Sequence, residues 1–410
     1  MTSILLSGAA NGFGPASKAV AIARHVHGYE RIFVGSGIAR EFCERNSEFF
    51  EKIVGPEELS EDFLRHCKFG LIVMEHDIAF QLFKARVPFF FFDSLLDFWE
   101  LPAGMERVAN VAGAILSEQR DRIKDALYSG LSVHERKVLC HFIARRSFAQ
   151  NYPGVHQRLE AMQEAGLRHT EIVGPIVRAS RAPDEAERNQ DGCSHTGRFS
   201  LLINLGGVRN FVIEFNKNDH YIALLEQWAR RYLTETPTGS QITICCGRYT
   251  VSSENSVGYR TITTTCLAHD VFMSAIQTAD IVLSAPGRTF IQEAVLMGVV
   301  PILLPEQHRS QAVNLAGLAR TPFAEFCLPL SEILDGKSIP QDDKSGSQAI
   351  IECSLKILNT GDLFERFDRL LRSRIDYLRS LNSSERLRII IEMRKLIGGQ
   401  SLKEVMRGIL

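Results

Sequence analysis

The first thing this sequence lacks is an excess of charge. Lys and Arg total 47 against 48 Asp and Glu, a net charge of −1 at pH 7, so there is no global basic field to hold a nucleic-acid polymer by neutralising its phosphates. Long apolar runs are missing as well. A membrane-spanning helix needs roughly 18 uncharged apolar residues, and the apolar stretch at residues 87–92 is far shorter, so no membrane span is expected. The opening residues pass into Gly12-Phe13-Gly14 before a signal peptide could be completed. The nine cysteines include no CxxC pair of the zinc type, and their odd number does not suit a disulfide framework. Buried free thiols in a reducing compartment, and hence a cytoplasmic protein, are expected. The chain also has no low-complexity stretch.

What is present is an ordinary globular composition, 45% hydrophobic and 23% charged over 410 residues, a length beyond what one core usually supports. Strand and helix signals alternate from the start. Residues 4–6, 31–34, 69–74 and 88–92 are short apolar runs of the kind that form buried parallel strands. A Gly-rich loop is expected over 11–17 and a helix over 18–27, and Ile172-Val173 closes the series. Residues 178–196 then lose periodicity and gather polar residues and Gly, which reads as a linker. A second series follows: a strand over 200–204 running into Gly206-Gly207, a helix over 221–232, and strands over 241–246 and 261–265. The division is therefore a first α/β domain over 1–178, a linker over 179–196, a second α/β domain over 197–361 and charged terminal helices over 362–410. Both sheets read as doubly wound, and ligands of such sheets lie beyond the carboxyl ends of the strands.

Residues 279–316 carry the most chemistry. Ile281-Val282-Leu283-Ser284 reads as a buried strand and Ala285-Pro286-Gly287 as a turn. An amphipathic helix then ends near Gly298, a second strand runs to Pro305, and Gln311 and Asn314 follow. The turn aims a helix N-terminus, with unpaired N–H groups and the positive end of its dipole, at whatever lies beyond the strands, and an anion fits there. Glu293, six residues after Gly287 on the same helix, can take two hydroxyls of a ribose. The reading is a nucleotide-diphosphate pocket. Arg288 at the helix start and Arg209 after Gly206-Gly207 offer the fork geometry that suits phosphate, although each is equally an ordinary surface arginine.

The segment ADIVLSAPGRTFIQEAVLMGVVPILLPEQHRSQAVNLAGL resembles the donor-sugar segment of two-domain GT-B glycosyltransferases, a group that includes the lipid II-forming N-acetylglucosaminyltransferase and many natural-product glycosyltransferases. Ala279-Asp280, Gly287, Glu293, Pro305 and Gln311 with Asn314 carry the match. Thr289 lies two residues after Gly287 where the family has three, and Pro301 falls one place late. The resemblance implies two Rossmann-like domains facing across a cleft, with a UDP-sugar on the second. The backbone from Gly287 to Phe290 would bind the pyrophosphate, Glu293 the ribose, and the loop from Glu306 to Gln311, with Gln307 and His308, the donor sugar; Gly206, Gly207, Arg209, Ser284, Arg288 and Thr289 are the further candidates for the nucleotide site. It implies further that the terminal helices cross back to the first domain and that Gly12, Phe13 and Gly14 face a small acceptor. A His often follows the first glycine in that family, whereas Phe13 stands here. Donor and acceptor are the expected partners, self-association as a homodimer is left open, and no cofactor beyond the donor is expected. No Asp-x-Asp pair occurs, so a divalent-metal site of the kind used by single-domain glycosyltransferases is not expected.

Glycosyl transfer passes through an oxocarbenium-like state, as glycoside hydrolysis does, and inversion needs a base for the acceptor. Asp93, directly after the run 88–92, is the leading candidate, with helix capping as an equally weighted role. Asp97 and Trp99 follow in the same segment and are placed to orient or stack on an acceptor, Trp99 being otherwise core packing. Glu75, in Glu75-His76-Asp77 at the end of the preceding strand, is the second choice. The first Gly-rich loop does not suit NAD: Pro15 removes a donor N–H, and Glu30 precedes the second strand instead of ending it.

Three further segments, NGFGPASK, FFDSLLDFW and HFIARRSFAQNYPG, are similar to the N-domain of cytosylglucuronate synthase-type enzymes, which join the sugar acid of UDP-glucuronate to cytosine. This resemblance implies a planar acceptor held by Phe13, Asp93 and Gln150, and an N-glycosidic product. The rival readings are a nucleotide-sugar epimerase or hydrolase of the same architecture and a non-enzymatic nucleotide-sugar-binding subunit.

Overall fold

Apolar runs too short for helices become parallel strands in both halves of the chain. The computed structural model describes residues 2–10, 12–178, 199–206, 219–247, 252–336 and 339–410. It separates into two units, Met1–Arg178 with Leu396–Leu410, and Ala179–Lys395. The linker expected over 179–196, together with Gly207 and Arg209, lies outside the described residues.

The first unit holds β1 (Ser3–Gly8), β2 (Glu30–Val34), β3 (Lys52–Val54), β4 (Cys67–Val73), β5 (Phe89–Asp93), β6 (Arg146–Gln150) and β7 (Thr170–Val173), in the order β3-β2-β1-β4-β5-β6-β7. All pairs are parallel. A parallel sheet is covered on both faces, so its strands are continuously apolar. Ile4, Leu5 and Leu6 are fully buried, and the four phenylalanines of β5 are buried. Phe92 stacks on Phe148 at 4.8 Å and Phe90 meets Phe69 edge-on at 5.7 Å, each buried ring contributing about 1.5–3 kcal/mol. The first helix runs Phe13–Ala23, earlier than the 18–27 expected. Pro15 falls in its first turn, where a missing N–H is tolerated, and Gly8 lets it close in, since a Cβ there would stand 3.1 Å from the Pro15 carbonyl oxygen.

The second unit holds β8 (Ser200–Gly206), β9 (Gln241–Cys246), β10 (Ser253–Val257), β11 (Arg260–Thr265), β12 (Ile281–Ser284) and β13 (Ile302–Leu303), in the order β10-β11-β9-β8-β12-β13. Only β10 and β11 pair antiparallel, through a turn at Gly258 whose φ is 62°. Below this sheet Leu202, Met273, Ile276, Val282, Phe290 and Met297 form one apolar cluster.

The terminal helices depart from the expectation that 362–410 return to the first domain. The helix Gly361–Ser380 stays with the second unit because its cations find acids there: Arg372 bonds Glu235 at 2.6 Å and Arg374 bonds Glu332 at 2.6 Å. Only residues 396–410 join the first unit, where Gly174 N donates to the Gln400 carbonyl at 2.9 Å and Asn151 to that of Gly398. Among the described residues no helix is long and apolar enough to cross a membrane. Their cysteines are free, and all but Cys266 are buried.

In each sheet the strand order reverses once, between β1 and β4 and between β8 and β12. Such reversals open a crevice at the carboxyl ends of the flanking strands, where doubly wound sheets hold ligands.

Candidate functional site

The reversal in the second unit assembles most of the residues expected to hold a nucleotide. Asn204 near the end of β8 donates from Nδ2 to Ser284 Oγ at 3.0 Å and accepts from Gly206 N at 3.1 Å. This pins β8 to the last residue of β12, and Gly206 (φ 65°) turns away. Ala285-Pro286-Gly287 then leads into the helix Arg288–Leu296, whose capping residue Gly287 supplies no side-chain hydrogen bond. A Cβ built on Gly287 would meet nothing within 4 Å. The capping position therefore supplies no side-chain cap, and among the described residues the space over Gly287 is open, which is what an anion needs. At the opposite end Arg394 donates to the carbonyls of Val295 (3.2 Å) and Leu296 (2.9 Å), so the negative end of the dipole is matched by a cation. Thr289 is half-buried in the first turn and Glu293 is buried along the same helix.

Three expectations for this region change. Arg288 is buried, and its Nε donates to Asn314 Oδ1 at 2.6 Å while Asn314 Nδ2 donates to the Pro286 carbonyl at 2.8 Å. This arginine braces the turn from within. Glu306 is also buried, its Oε2 accepting from Leu330 N at 3.0 Å, and burial raises its carboxyl above the usual range. Gln311 accepts from Gln307 N at 2.8 Å and Gln307 Nε2 donates to the Leu205 carbonyl at 3.1 Å, so this pair fixes the loop to β8. Of the four residues expected to meet a sugar, His308 keeps partial exposure. Its Nδ1 lies 2.9 Å from Ser310 Oγ, and desolvation lowers its pKa to about 4, leaving a neutral imidazole at pH 7.

In the first unit the strand ends carry a second polar cluster. Asp93 ends β5 but is 0% exposed. Its Oδ1 accepts from Leu95 N at 2.8 Å, and its Oδ2 accepts from Trp99 Nε1 at 2.6 Å and lies 3.1 Å from His141 Nε2. Burial pushes its pKa up, but the hydrogen bond and charge of His141 with the Leu95 and Trp99 donors outweigh that, so the carboxyl sits below its ordinary value. A carboxylate so enclosed is a poor base for a substrate, and Asp93 is better described as the anchor of Trp99. Trp99 is itself buried, with Lys137 Nζ 4.0 Å from its ring centroid, so it is packing and not a free platform. Gln150 is buried too. Phe13 leans on Phe42 at 5.8 Å, flanked by half-buried Gly12 and Gly14. Asp97 is half-buried against Gly154, where a Cβ would come within 3.2 Å of its own.

At the β1/β4 reversal stand Glu75, His76 and Asp77. Their donor atoms lie within 4.8 Å of one another, but His76 Nδ1 is spent on Asp77 Oδ1 (3.0 Å) and the Tyr128 hydroxyl (2.7 Å), which donates to the same Asp77 oxygen at 2.9 Å. The His76 hydrogen bond holds Asp77 below the usual carboxylate range, while burial raises Glu75 above it. The helix Val133–Ile143 adds residues that the sequence reading missed: Lys137 acts on Glu75, while His141 meets Asp93 and His134 accepts from Glu100 N at 3.2 Å. Their spacing of three and seven puts them on one helical face, a signal present in the sequence. His134 is lowered to about 4 by burial and then by Lys137.

No family model matches the sequence, and no curated protein matches it. Among solved structures the chain is similar to the glycosyltransferase of kitacinnamycin, with a TM-score of 0.47 and 13% identity over 96% of this chain and 98% of that one. It is similar also to Phytolacca americana UGT2 complexed with UDP-2-fluoro-glucose and pterostilbene, with a TM-score of 0.47 and 11% identity over 96% and 99%. The apo form of the same UGT2 gives a TM-score of 0.42 and 10% identity over the same shares.

Proposed function

We propose that this chain is a metal-independent glycosyltransferase on the GT-B plan, taking a UDP-sugar on the second unit and a small acceptor on the first. The observation that carries the reading is the glycine-started helix Arg288–Leu296 at the β8/β12 reversal, open over Gly287 among the described residues, with Glu293 farther along that helix. Phosphate at a helix N-terminus, beside a carboxylate able to take ribose hydroxyls, is a nucleoside-diphosphate signature. The sequence resemblance of residues 279–316 supports the sugar. That of the first-unit segments makes UDP-glucuronate and cytosine the pair to try first. Donor binding is tested by calorimetry with UDP. Glu293→Ala should weaken it by about 1–3 kcal/mol, the cost of removing a charged hydrogen-bond acceptor. Unchanged affinity removes the ribose role. Sugar interconversion or hydrolysis of the UDP-sugar without acceptor, in place of transfer, removes the transferase reading.

A further inference from the structure

Resting on the reading that the chain transfers a sugar to an acceptor held by the first unit, we propose that Glu75 is the base that takes the acceptor's proton. In that step the acceptor's O–H or N–H bond breaks and its proton passes to a Glu75 oxygen. The freed electron pair forms the bond to the anomeric carbon, and the pair of the sugar–phosphate C–O bond leaves with the nucleotide diphosphate.

Position comes first. Glu75 follows β4 at the β1/β4 reversal, opposite the uncapped start of the helix Phe13–Ala23 that follows β1. Met74 before it has φ 58°, a left-handed conformation that residues with side chains rarely adopt and that clusters at functional sites. It is held there by Met74 N donating to the Phe92 carbonyl at 3.0 Å and by Ser94 Oγ at 3.1 Å from its sulfur. Glu75 occupies the capping position of the helix His76–Lys84, yet its side chain makes no capping bond. The other carboxylates nearby are committed: Asp93 to Leu95, Trp99 and His141, Asp77 to His76 and Tyr128, while Asp97 packs on Gly154.

Electrostatics agree with the position. The charged and titratable groups that act on Glu75 are His76 and Asp77 of its own segment and Lys137 of the helix Val133–Ile143; Cys140 of that helix also lies close, its thiol kept protonated by burial. Two neighbouring carboxyls are pushed apart, Glu75 up and Asp77 down, which gives Glu75 the greater proton affinity of the pair, the property a general base uses.

The test uses the full chain with UDP-glucuronate, UDP-glucose or UDP-N-acetylglucosamine as donor and cytosine or para-nitrophenol as acceptor, following UDP release and product mass. Glu75→Gln should lower kcat about 100-fold or more at unchanged UDP affinity and melting temperature, and Glu75→Asp should recover part of the rate. Wild-type kcat/KM should fall on the acid side with a limb above the usual carboxylate range. Lys137→Met should move that limb to higher pH, because the ammonium no longer favours the ionised carboxylate. A Glu75→Gln enzyme turning over at the wild-type rate overturns the proposal and leaves the transfer reading standing. A wild-type chain that binds UDP but forms no product with any donor removes both. If Glu75→Gln does not fold, a wild-type profile without the acid limb is the overturning result.

Discussion

Replacing Asp93 by Asn separates an anchor from a base. The Asp93 carboxylate is fully buried and faces three groups that can donate, Leu95 N–H, Trp99 Nε1–H and His141 Nε2. An amide keeps one oxygen and turns an NH2 toward whichever group the other oxygen served. Backbone N–H and indole N–H only donate, so in either orientation a buried donor loses its acceptor. One orphaned donor costs about 1–3 kcal/mol, and the bonds that remain lose their charge assistance, which roughly halves them. A total of about 2–4 kcal/mol should lower the melting temperature of the first unit by roughly 4–16 °C. The chain has two tryptophans, and in either orientation Trp99 loses its bond to a charged carboxylate oxygen, so tryptophan emission should change with the transition while the calorimetric affinity for UDP does not. The pH dependence has a definite sign. A depressed carboxyl stabilises fully above its unfolded value of about 3.9 and loses that contribution as pH falls through the lower folded value. The gap between wild type and variant should therefore narrow below about pH 4. A melting temperature within a degree of wild type, with transfer reduced 100-fold or more, would refute this account and make Asp93 the base.

Two expectations remain. Gly287→Ala should fold normally, since φ at Gly287 is −82° and the added methyl meets nothing within 4 Å, yet it should weaken UDP binding about tenfold, or 1.4 kcal/mol, by filling the approach to the helix N-terminus; unchanged calorimetric affinity would move the diphosphate elsewhere. Turnover should continue in EDTA, and a loss of activity that added Mg2+ restores would contradict a metal-independent reaction.

What could be read from the sequence was whatever is encoded locally. The strands at 4–6 and 88–92 announce themselves as apolar runs, and Gly287 with its helix as a turn before an amphipathic period. β6 begins with Arg146 and ends with Gln150, and β10 reads Ser-Glu-Asn-Ser-Val. β10 is an edge strand with one neighbour and needs little apolar patterning, whereas β6 lies between β5 and β7 but has only Phe148 and Ala149 as apolar residues, so neither run length nor alternation marked them. The burial of Asp93 was invisible for another reason: it depends on His141, 48 residues away, brought in by a helix crossing. Arg288 likewise reads as a phosphate ligand until Asn314, 26 residues on, takes its Nε. Strand-end positions follow from local pattern, whereas the direction a polar side chain turns is decided by partners distant in sequence.

The docking of residues 396–410 onto the first unit gives this chain an order of assembly. Val173 of β7 bridges to Gln400, and Arg146 donates to the Gly408 carbonyl at 3.1 Å, so the outer border of the seven-stranded sheet is completed by the segment made after everything else in it. At about 5–20 residues per second, synthesis leaves that border waiting on the order of ten to fifty seconds after β7 has emerged. Throughout the interval β7 shows bare peptide groups of the kind that recruit foreign strands. A fragment cut at Arg178 keeps this exposure permanently, whereas one in which residues 396–410 are joined behind residue 178 by a flexible linker carries its own border.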